Sequence, residues 1–264
     1  MLHLVANYPN PEVFTNSLGT ILSFNPEFLE VQLPFSNPMA DGPVIYEANQ
    51  VGRYFEHTLE QILQTSRRIQ LETNSTTNLI LMSYLTPLSI LKAQDLVSLL
   101  ITNGFKGAII PDLTFGTPEQ IELSRLFDVN GLYLIPVIAN NSNSERLQFI
   151  RSQLSNSQPI YVMSHFGKTG GKTTLESSFW EYLQELKTIF DTQQICVGFG
   201  ISTPEQVRQL QSKNYTPVIG SAIVRSITNS TLEQYLGSIQ NQTNFLNSNF
   251  NRHHEERSDP KSNY

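Results

Sequence analysis

Short apolar segments recur along the 264 residues, and this repetition limits the possible folds more than any other feature. Most neighbouring segments are separated by a stretch with the signals of a helix, which is typical of parallel strands joined by right-handed crossovers. The eight segments are 2–6, 28–33, 79–84, 106–111, 132–138, 160–164, 195–199 and 217–219. Because eight strands close a barrel, we predict an α/β protein with a (β/α)8 TIM-barrel fold, and a doubly wound open sheet is the alternative.

Start and stop signals support the helical stretches. Asn10-Pro11 places a capping residue before a proline at the first helical position. Asn103-Gly104 is a typical end for the helix that starts near Ala93. In a capping box, Ser or Thr is followed three residues later by Glu or Gln. Four tetrapeptides have this spacing, and they begin at Thr58, Thr117, Ser142 and Thr203.

The composition excludes several classes of function. Lys and Arg number 17 against 23 Asp and Glu, and a net charge of -6 lacks the basic surface that binds nucleic acid or an anionic membrane. There is no signal peptide and no apolar run long enough to span a membrane, so a cytoplasmic protein is expected. Cys196 lies in an apolar run, which predicts a buried, inert thiol. No cluster of His, Cys and carboxylates has metal-ligand spacing.

No linker divides the chain into two parts. Residues 1–247 are predicted to form a single barrel domain, and the polar, aperiodic segment 248–264 is predicted to be a disordered tail. In such a barrel the chemistry lies where strands end and the following loops begin. Candidate site residues are therefore sought at those positions.

The segment from Glu30 to Pro43, E-V-Q-L-P-F-S-N-P-M-A-D-G-P, carries two carboxylates. Glu30 lies within the second apolar segment, on one defined strand face that is expected to be dry, and Asp41 lies at the far end of the following loop. An unpaired buried carboxylate is costly, and such groups are often kept because they move protons. A structural ion pair or a half-exposed edge position is an equally good interpretation of Glu30 at this point.

Glycines at the ends of the last strands predict a phosphate site. Gly200 follows the seventh segment and precedes a capped helix, and Gly220-Ser221 precedes the short helical stretch 222–227. Free N–H groups at helix starts bind anions, and loops seven and eight commonly hold a phosphate in barrels. The alternative is that Gly198, Gly200 and Gly220 are simple turn residues.

Residues 167–173, G-K-T-G-G-K-T, look like a nucleotide-binding P-loop but lack its spacing. The pattern G-x-x-x-x-G-K-[ST] requires glycine at position 166, where Phe166 stands. We interpret the stretch as a mobile loop that closes over a ligand, with a loop without function as the alternative. His165 lies in a suitable region, but a lone histidine there is more often a polar loop residue. No role is predicted for His3, His57, His253 or His254.

Together these motifs resemble the tryptophan synthase alpha subunit family. Residues 30–43 are similar to the family's E-L-G-x-P-F-S-D-P-x-A-D-G-P, and 198–207 and 220–224 also match closely. Residues 167–170 are similar to its G-V-T-G loop. The resemblance runs from Leu4 to about Phe245, and it implies a TIM barrel.

The family cleaves indole-3-glycerol phosphate to indole and glyceraldehyde 3-phosphate, a retro-aldol lyase reaction of tryptophan biosynthesis. By this resemblance, Glu30 takes the position of the general acid/base that protonates indole C3 and helps deprotonate the glycerol hydroxyl. Asp41 takes the position of the carboxylate that binds the indole N–H. The other implied site residues are the substrate-binding Tyr84, Asp112, Tyr161 and Thr169, and the phosphate-binding Gly170, Gly200, Gly220 and Ser221.

The resemblance also implies a partner. Alpha subunits work with a beta subunit in a heterotetramer of two alpha and two beta chains, and the beta subunit carries pyridoxal phosphate. No cofactor and no metal are therefore expected in this chain.

Several departures from the family pattern leave other functions open. The family's N-terminal helix is largely absent before the first strand, so a truncated barrel is expected. Gln32 replaces glycine, Asn37 replaces an aspartate that faces the beta subunit, Lys168 replaces an apolar residue and His165 replaces arginine. The alternative functions are a regulatory partner of the beta subunit with a decayed lyase step, and another phosphate-binding barrel enzyme such as an isomerase.

Overall fold

Strands alternate with helices throughout the part of the chain that the computed structural model describes, which is residues 1–139, 141–155, 158–163, 177–198 and 200–241. The strands are β1 (Leu2–Val5), β2 (Phe28–Gln32), β3 (Asn78–Met82), β4 (Phe105–Ile109), β5 (Tyr133–Ile135), β6 (Val137–Ala139), β7 (Ile160–Met163), β8 (Ile195–Gly198) and β9 (Thr216–Pro217). The helices are α1 (Pro11–Ser23), α2 (Pro43–Gly52), α3 (Leu59–Glu72), α4 (Leu85–Leu88), α5 (Ala93–Thr102), α6 (Pro118–Val129), α7 (Ser144–Ser152), α8 (Ser177–Ile189), α9 (Pro204–Gln211) and α10 (Ser221–Thr228). A 3-10 turn (Arg53–Phe55) follows α2, and a further helical stretch covers 232–241.

The fifth predicted strand is interrupted at Pro136. All named strands pair in parallel and in chain order, β1 to β5 in one sheet and β6 to β9 in the other. β5 and β6 are the two halves of the segment predicted at 132–138, and they separate because proline has no N–H to donate to a neighbouring strand. The Pro136 carbonyl still accepts a hydrogen bond from the N–H of Tyr161 at 2.9 Å. The nine named strands therefore correspond to the eight predicted ones.

The first and last strands meet and close the barrel. Leu2 forms a parallel bridge with Ile219, and the N–H of His3 donates to the Ile219 carbonyl at 3.0 Å. The N–H of Ile219 donates in turn to the Met1 carbonyl at 3.1 Å. This closure confirms the predicted (β/α)8 barrel, and the alternative of an open doubly wound sheet is wrong.

Most of the predicted helix ends are confirmed. Asn10 caps α1 through a hydrogen bond from the N–H of Val13 at 2.9 Å. Complete capping boxes form at Thr58 and Thr203, each with the glutamine three residues later. Gly104 follows α5 with a φ of 69°, a conformation that glycine adopts readily.

Two helix starts differ from the prediction. Thr117 accepts a hydrogen bond from the N–H of Gln120, but the Gln120 side chain bonds to the preceding loop, so no reciprocal box forms. At α7 the capping residue is Asn143 rather than Ser142, and it accepts from the N–H of Arg146 at 2.9 Å. Asparagine and serine are comparably good caps, so the sequence pattern could not separate these adjacent positions.

The largest apolar cluster lies between the barrel and its helices, and a smaller cluster lies inside the barrel. Cys196 belongs to the inner cluster and is fully buried, and burial raises the pKa of its thiol to about 12. This confirms the predicted burial. Among the described residues, no helix combines the length and the apolar character that a membrane span requires. The predicted tail, 248–264, lies outside the described residues.

Candidate active site

A cavity of about 330 Å³ lies at the C-terminal ends of the barrel strands. The structure brings both predicted carboxylates and three of the predicted phosphate-binding residues to its wall: Glu30, Asp41, Gly200, Gly220 and Ser221. These residues come from distant parts of the chain, and they meet because parallel barrel strands all end on the same side. The volume falls within the range of roughly 300–1,000 Å³ that is usual for small-molecule sites.

Glu30 lies in the interior of β2, and it is only 3% exposed. Its partner in the strand register is His3 of β1, and Glu30 Oε1 lies 3.3 Å from His3 Nδ1. Glu30 Oε2 is buried and has no hydrogen-bond partner among the described residues. The carboxylate is therefore buried and paired with His3, as the structural interpretation expects, and it also lines the cavity, while a half-exposed edge position is wrong.

His3 is a site residue that was not predicted from the sequence. It is 6% exposed and lines the same cavity as Glu30. Burial lowers the pKa of His3, but the Glu30 carboxylate, the more distant Asp41 and the Gln32 side chain outweigh burial, so the pKa is raised above its usual value. The sequence did carry a signal for His3, because a histidine stands within the otherwise apolar strand β1, which pairs with the strand that carries Glu30.

Asp41 is held by two side chains that both bond to its Oδ2 atom. Gln32 donates from Nε2 at 2.7 Å, and Tyr84 donates from its hydroxyl at 3.3 Å. The Tyr84 hydroxyl also accepts from the N–H of Ala40 at 3.0 Å, which fixes the loop before Asp41. Burial raises the pKa of Asp41, although the charge of His3 and these hydrogen bonds oppose the rise. Gln32, which departs from the family's glycine, therefore positions the second carboxylate.

Tyr84 and Asp112, which were predicted to contact the substrate, do not line the described cavity. Tyr84 is buried beside Asp41 and does not form part of the cavity wall, and burial together with the Asp41 charge raises the pKa of its phenol. Asp112 is exposed, and its Oδ1 accepts from the N–H of Leu85 at 2.9 Å. In the described structure Asp112 therefore joins the end of β4 to the start of α4, at a position outside the cavity wall.

Tyr161 of β7 lines the cavity and packs against Gly198 of β8. Burial and the negative charge of Glu30 raise the pKa of the Tyr161 phenol, so the group is neutral. A Cβ atom at Gly198 would overlap the Tyr161 hydroxyl and ring. Gly198 was considered for the phosphate site, but its absent side chain makes room for Tyr161.

Substituting Gly198 with Ala should lower the free energy of unfolding by about 1–3 kcal/mol, because the added methyl group must displace Tyr161 in a packed interior. Urea unfolding followed by circular dichroism measures the change. Gly237→Ala is the matched control, since no atom lies within 4 Å of its added Cβ. A Gly198→Ala protein as stable as the wild type would contradict the packing role.

Two glycines, a serine and an arginine of the described residues line the part of the cavity wall near the start of α10. Gly200 has a φ of 77°, and Gly220 precedes α10 without a capping side chain. Ser221 begins α10, and Arg225, one turn later, also lines the cavity. Arg225 was not predicted, although its spacing from Ser221 on one helix was the available signal. Thr169, Gly170 and the rest of the predicted lid, including His165 and Lys168, lie outside the described residues.

These features define a TIM-barrel enzyme whose site suits proton transfer on a substrate that carries an anionic group. No group of three or more metal-ligating side chains occurs among the residues that the structure describes. The profile of the tryptophan synthase alpha chain family matches residues 1–254, and the chain belongs to this family.

Sequence and structure comparisons with individual proteins support the assignment of the chain to this family. The tryptophan synthase alpha chain of Carboxydothermus hydrogenoformans is 33% identical over 225 residues, which cover 84% of this chain and 80% of that protein. The alpha chain of a Picosynechococcus species is 32% identical, with 90% and 88% covered. A solved structure of a mutant alpha subunit from Pyrococcus furiosus has a TM-score of 0.79 at 23% identity, covers 91% of this chain and 96% of its own, and supports the fold.

Proposed function

We propose that this cavity is where the chain performs the family's lyase reaction, the cleavage of indole-3-glycerol phosphate to indole and glyceraldehyde 3-phosphate. The observation that carries the proposal is that Glu30 and Asp41 line one cavity with Gly200, Gly220 and Ser221. The first two supply proton transfer and charge stabilisation, and the other three supply an anion site. A substrate with an indole ring and a terminal phosphate needs both kinds of group.

Glu30 is proposed to be the general acid/base. Its Oε2 atom has no protein partner in the described structure, so a proton on this atom can pass to indole C3. The bond between C3 and the glycerol carbon then breaks, and its electron pair returns to the ring. The hydroxyl of that carbon loses its proton to the carboxylate as the aldehyde forms. One proton leaves Glu30 and one returns, so the group ends the reaction as it began.

Asp41 is proposed to bind the indole N–H. Both of the hydrogen bonds that it forms with described residues go to Oδ2, which leaves Oδ1 for the substrate. Protonation at C3 makes the ring nitrogen positive, and a carboxylate at this position stabilises that charge as it develops. Gln32 and Tyr84 hold the carboxylate in place before the substrate arrives.

Gly200, Gly220 and Ser221 are proposed to bind the phosphate, and Arg225 adds a positive charge at the same end of the cavity. The N–H groups at the start of α10 and the Ser221 hydroxyl are donors, and the helix dipole favours an anion there. Thr169 and Gly170 are further proposed contacts, from the resemblance alone.

Substituting Ser221 with Ala should raise KM several-fold and leave kcat nearly unchanged. The phosphate is remote from the bond that breaks, so the lost hydrogen bond weakens substrate and transition state equally. Steady-state kinetics of indole release measure both constants. Ser238→Ala is a suitable control, since this exposed serine lies outside the cavity and donates to the carbonyl of Tyr235 in its own helix. A large fall in kcat with an unchanged KM would contradict the phosphate role.

The chain is further proposed to work with a beta subunit, as the term alpha chain in the family name implies. The long segment between β2 and α3 carries Asp41 and also exposes four large apolar side chains, of which Met39 at 83% and Tyr54 at 74% are the most exposed. Exposed apolar residues of this size often belong to protein interfaces. A heterotetramer of two alpha and two beta chains, with pyridoxal phosphate in the beta chains and no cofactor here, is the proposed assembly.

The test is indole release from indole-3-glycerol phosphate, measured with and without a purified beta subunit. The proposal expects turnover by this chain and faster turnover in the complex. A wild-type rate no higher than that of Glu30→Gln in both conditions would overturn it and favour a regulatory partner. Turnover of an isomerase substrate that does not respond to Asp41→Asn would also overturn it.

A further inference from the structure

The His3–Glu30 pair is built rigidly into the barrel. The two residues are register partners on neighbouring parallel strands, so their side chains point to the same inner face. The strand that carries His3 is fixed on its other side by the hydrogen bond from the His3 N–H to the Ile219 carbonyl. Gly220 follows directly, and a Cβ atom built there would lie 3.6 Å from the imidazole, so the start of α10 packs closely beside the ring.

Both members of the pair have unused hydrogen-bonding atoms. Four buried side-chain atoms lack a partner among the described residues, and two of them are His3 Nε2 and Glu30 Oε2. Buried polar atoms without partners are uncommon, and each one calls for an explanation. Because both residues line the cavity, a bound substrate is the natural partner for these atoms.

The charged surroundings favour a proton on the imidazole. Glu30 faces the ring from β2, and Asp41 faces it from the loop that follows. Among the described residues, the other titratable groups that interact with Glu30 are the Tyr161 phenol of β7, the Cys196 thiol of β8 and the N-terminal ammonium group of Met1. The pKa values of the phenol and the thiol are raised, so both groups are neutral. Two carboxylates therefore act on one imidazole.

We propose that His3 is a positioning residue for the lyase reaction, which holds Glu30 by Oε1 and supplies the proton that Glu30 passes to the substrate. This proposal rests on the proposed function. The pair then contains one transferable proton. The proton moves from His3 Nδ1 to the carboxyl oxygen that faces it, and a half-turn of the carboxyl group about its Cγ–Cδ bond brings it to the unpartnered side, from which it passes to indole C3. The proton of the glycerol hydroxyl returns to that side as the carbon–carbon bond breaks, and a second half-turn restores the pair. No other reactant is needed, because the pair regains the proton that it lost.

The consequence of this arrangement is a wider working pH range. A carboxyl group alone ordinarily loses its proton near pH 4.3 and an imidazole near 6.5, and the pKa of His3 lies above the second value. The pair therefore keeps its proton at a pH where a lone carboxyl group has lost it. As the pH rises through the pKa of His3 the proton is lost, so the alkaline limb of the activity profile should follow the imidazole.

The decisive experiment compares His3→Gln, His3→Phe and the wild type by the pH dependence of kcat for indole release. Glutamine keeps a hydrogen-bond donor but cannot transfer a proton, and phenylalanine only fills the space. Both variants are expected to lose about 10²-fold in kcat, with little change in KM, and to move the alkaline limb to lower pH. His57→Gln, at an exposed histidine outside the cavity, is the matched control. A His3→Gln enzyme with the wild-type kcat and pH profile would overturn the proposal.

A second measurement does not depend on turnover. Titration of the His3 ring signals by NMR, assigned by comparison with His3→Gln, should give a lower pKa in Glu30→Gln than in the wild type. An unchanged His3 pKa would overturn the proton-sharing pair even if the enzyme is active. Absence of indole release by the wild type, with a beta subunit present, would instead overturn the proposed function and with it the role of His3 in that reaction.

Discussion

Glu30→Gln is expected to lower kcat for indole release by about 10²–10⁴-fold, the usual cost of removing a general acid/base. Glutamine has nearly the same shape as glutamate and can still contact His3, but it cannot give or accept the transferred proton. Substrate should therefore still bind, with a dissociation constant close to that of the wild type. Steady-state kinetics together with a binding titration separate these two effects.

The matched control for this variant is Glu27→Gln, the same substitution at an exposed residue just before β2. Glu27 accepts a hydrogen bond from Gln194 at 2.9 Å and lies outside the active-site cavity. Its kcat should equal that of the wild type. A Glu30→Gln enzyme that folds normally and retains more than about a tenth of the wild-type kcat would rule out the acid/base role.

Asp41→Asn should reduce kcat by about 10²–10³-fold, the range found when one group that stabilises transition-state charge is removed. The neutral amide cannot balance the positive charge that develops on the indole nitrogen. Its NH2 group would also face the Nε2 donor of Gln32, which now bonds to Asp41 at 2.7 Å. The effect should fall mainly on kcat rather than KM, because the charge exists chiefly in the transition state.

Asn37→Ala provides the comparison for Asp41→Asn, since Asn37 is an exposed residue of the same loop. Measured on this chain without a beta subunit, it should behave as the wild type. If Asp41→Asn raised KM strongly and left kcat unchanged, Asp41 would be a ground-state binding residue and its proposed role would be wrong.

The barrel could be predicted from the sequence because its signals are local. Each apolar segment and each capping residue acts over a few positions, and Thr58 and Thr203 form the boxes that their spacing predicts. The convergence of Glu30, Asp41 and Gly220 was also predictable, because the fold brings the C-terminal ends of all strands together. Pro136 itself indicated a break in the fifth strand. The prediction nevertheless treated 132–138 as one strand, because eight segments fit a barrel.

The partners of the two carboxylates could not be predicted in the same way. The contact of His3 with Glu30 depends on the register between two strands that are separated by a helix, and no local pattern sets that register. The contact of Gln32 with Asp41 depends on how a loop of several residues folds back. Asp112 lies outside the described cavity wall although it follows a strand end, since a position at a strand end does not determine the direction of a side chain.

The bond from Gln32 to Asp41 has a consequence for the cost of binding. Ordering one residue of a loop costs about 1–2 kcal/mol of backbone entropy at room temperature. Here a strand side chain and the Tyr84 hydroxyl tether the end of the loop through contacts within the protein itself. The acceptor for the indole nitrogen is thus preorganised, and arrival of the substrate need not select one loop conformation from many.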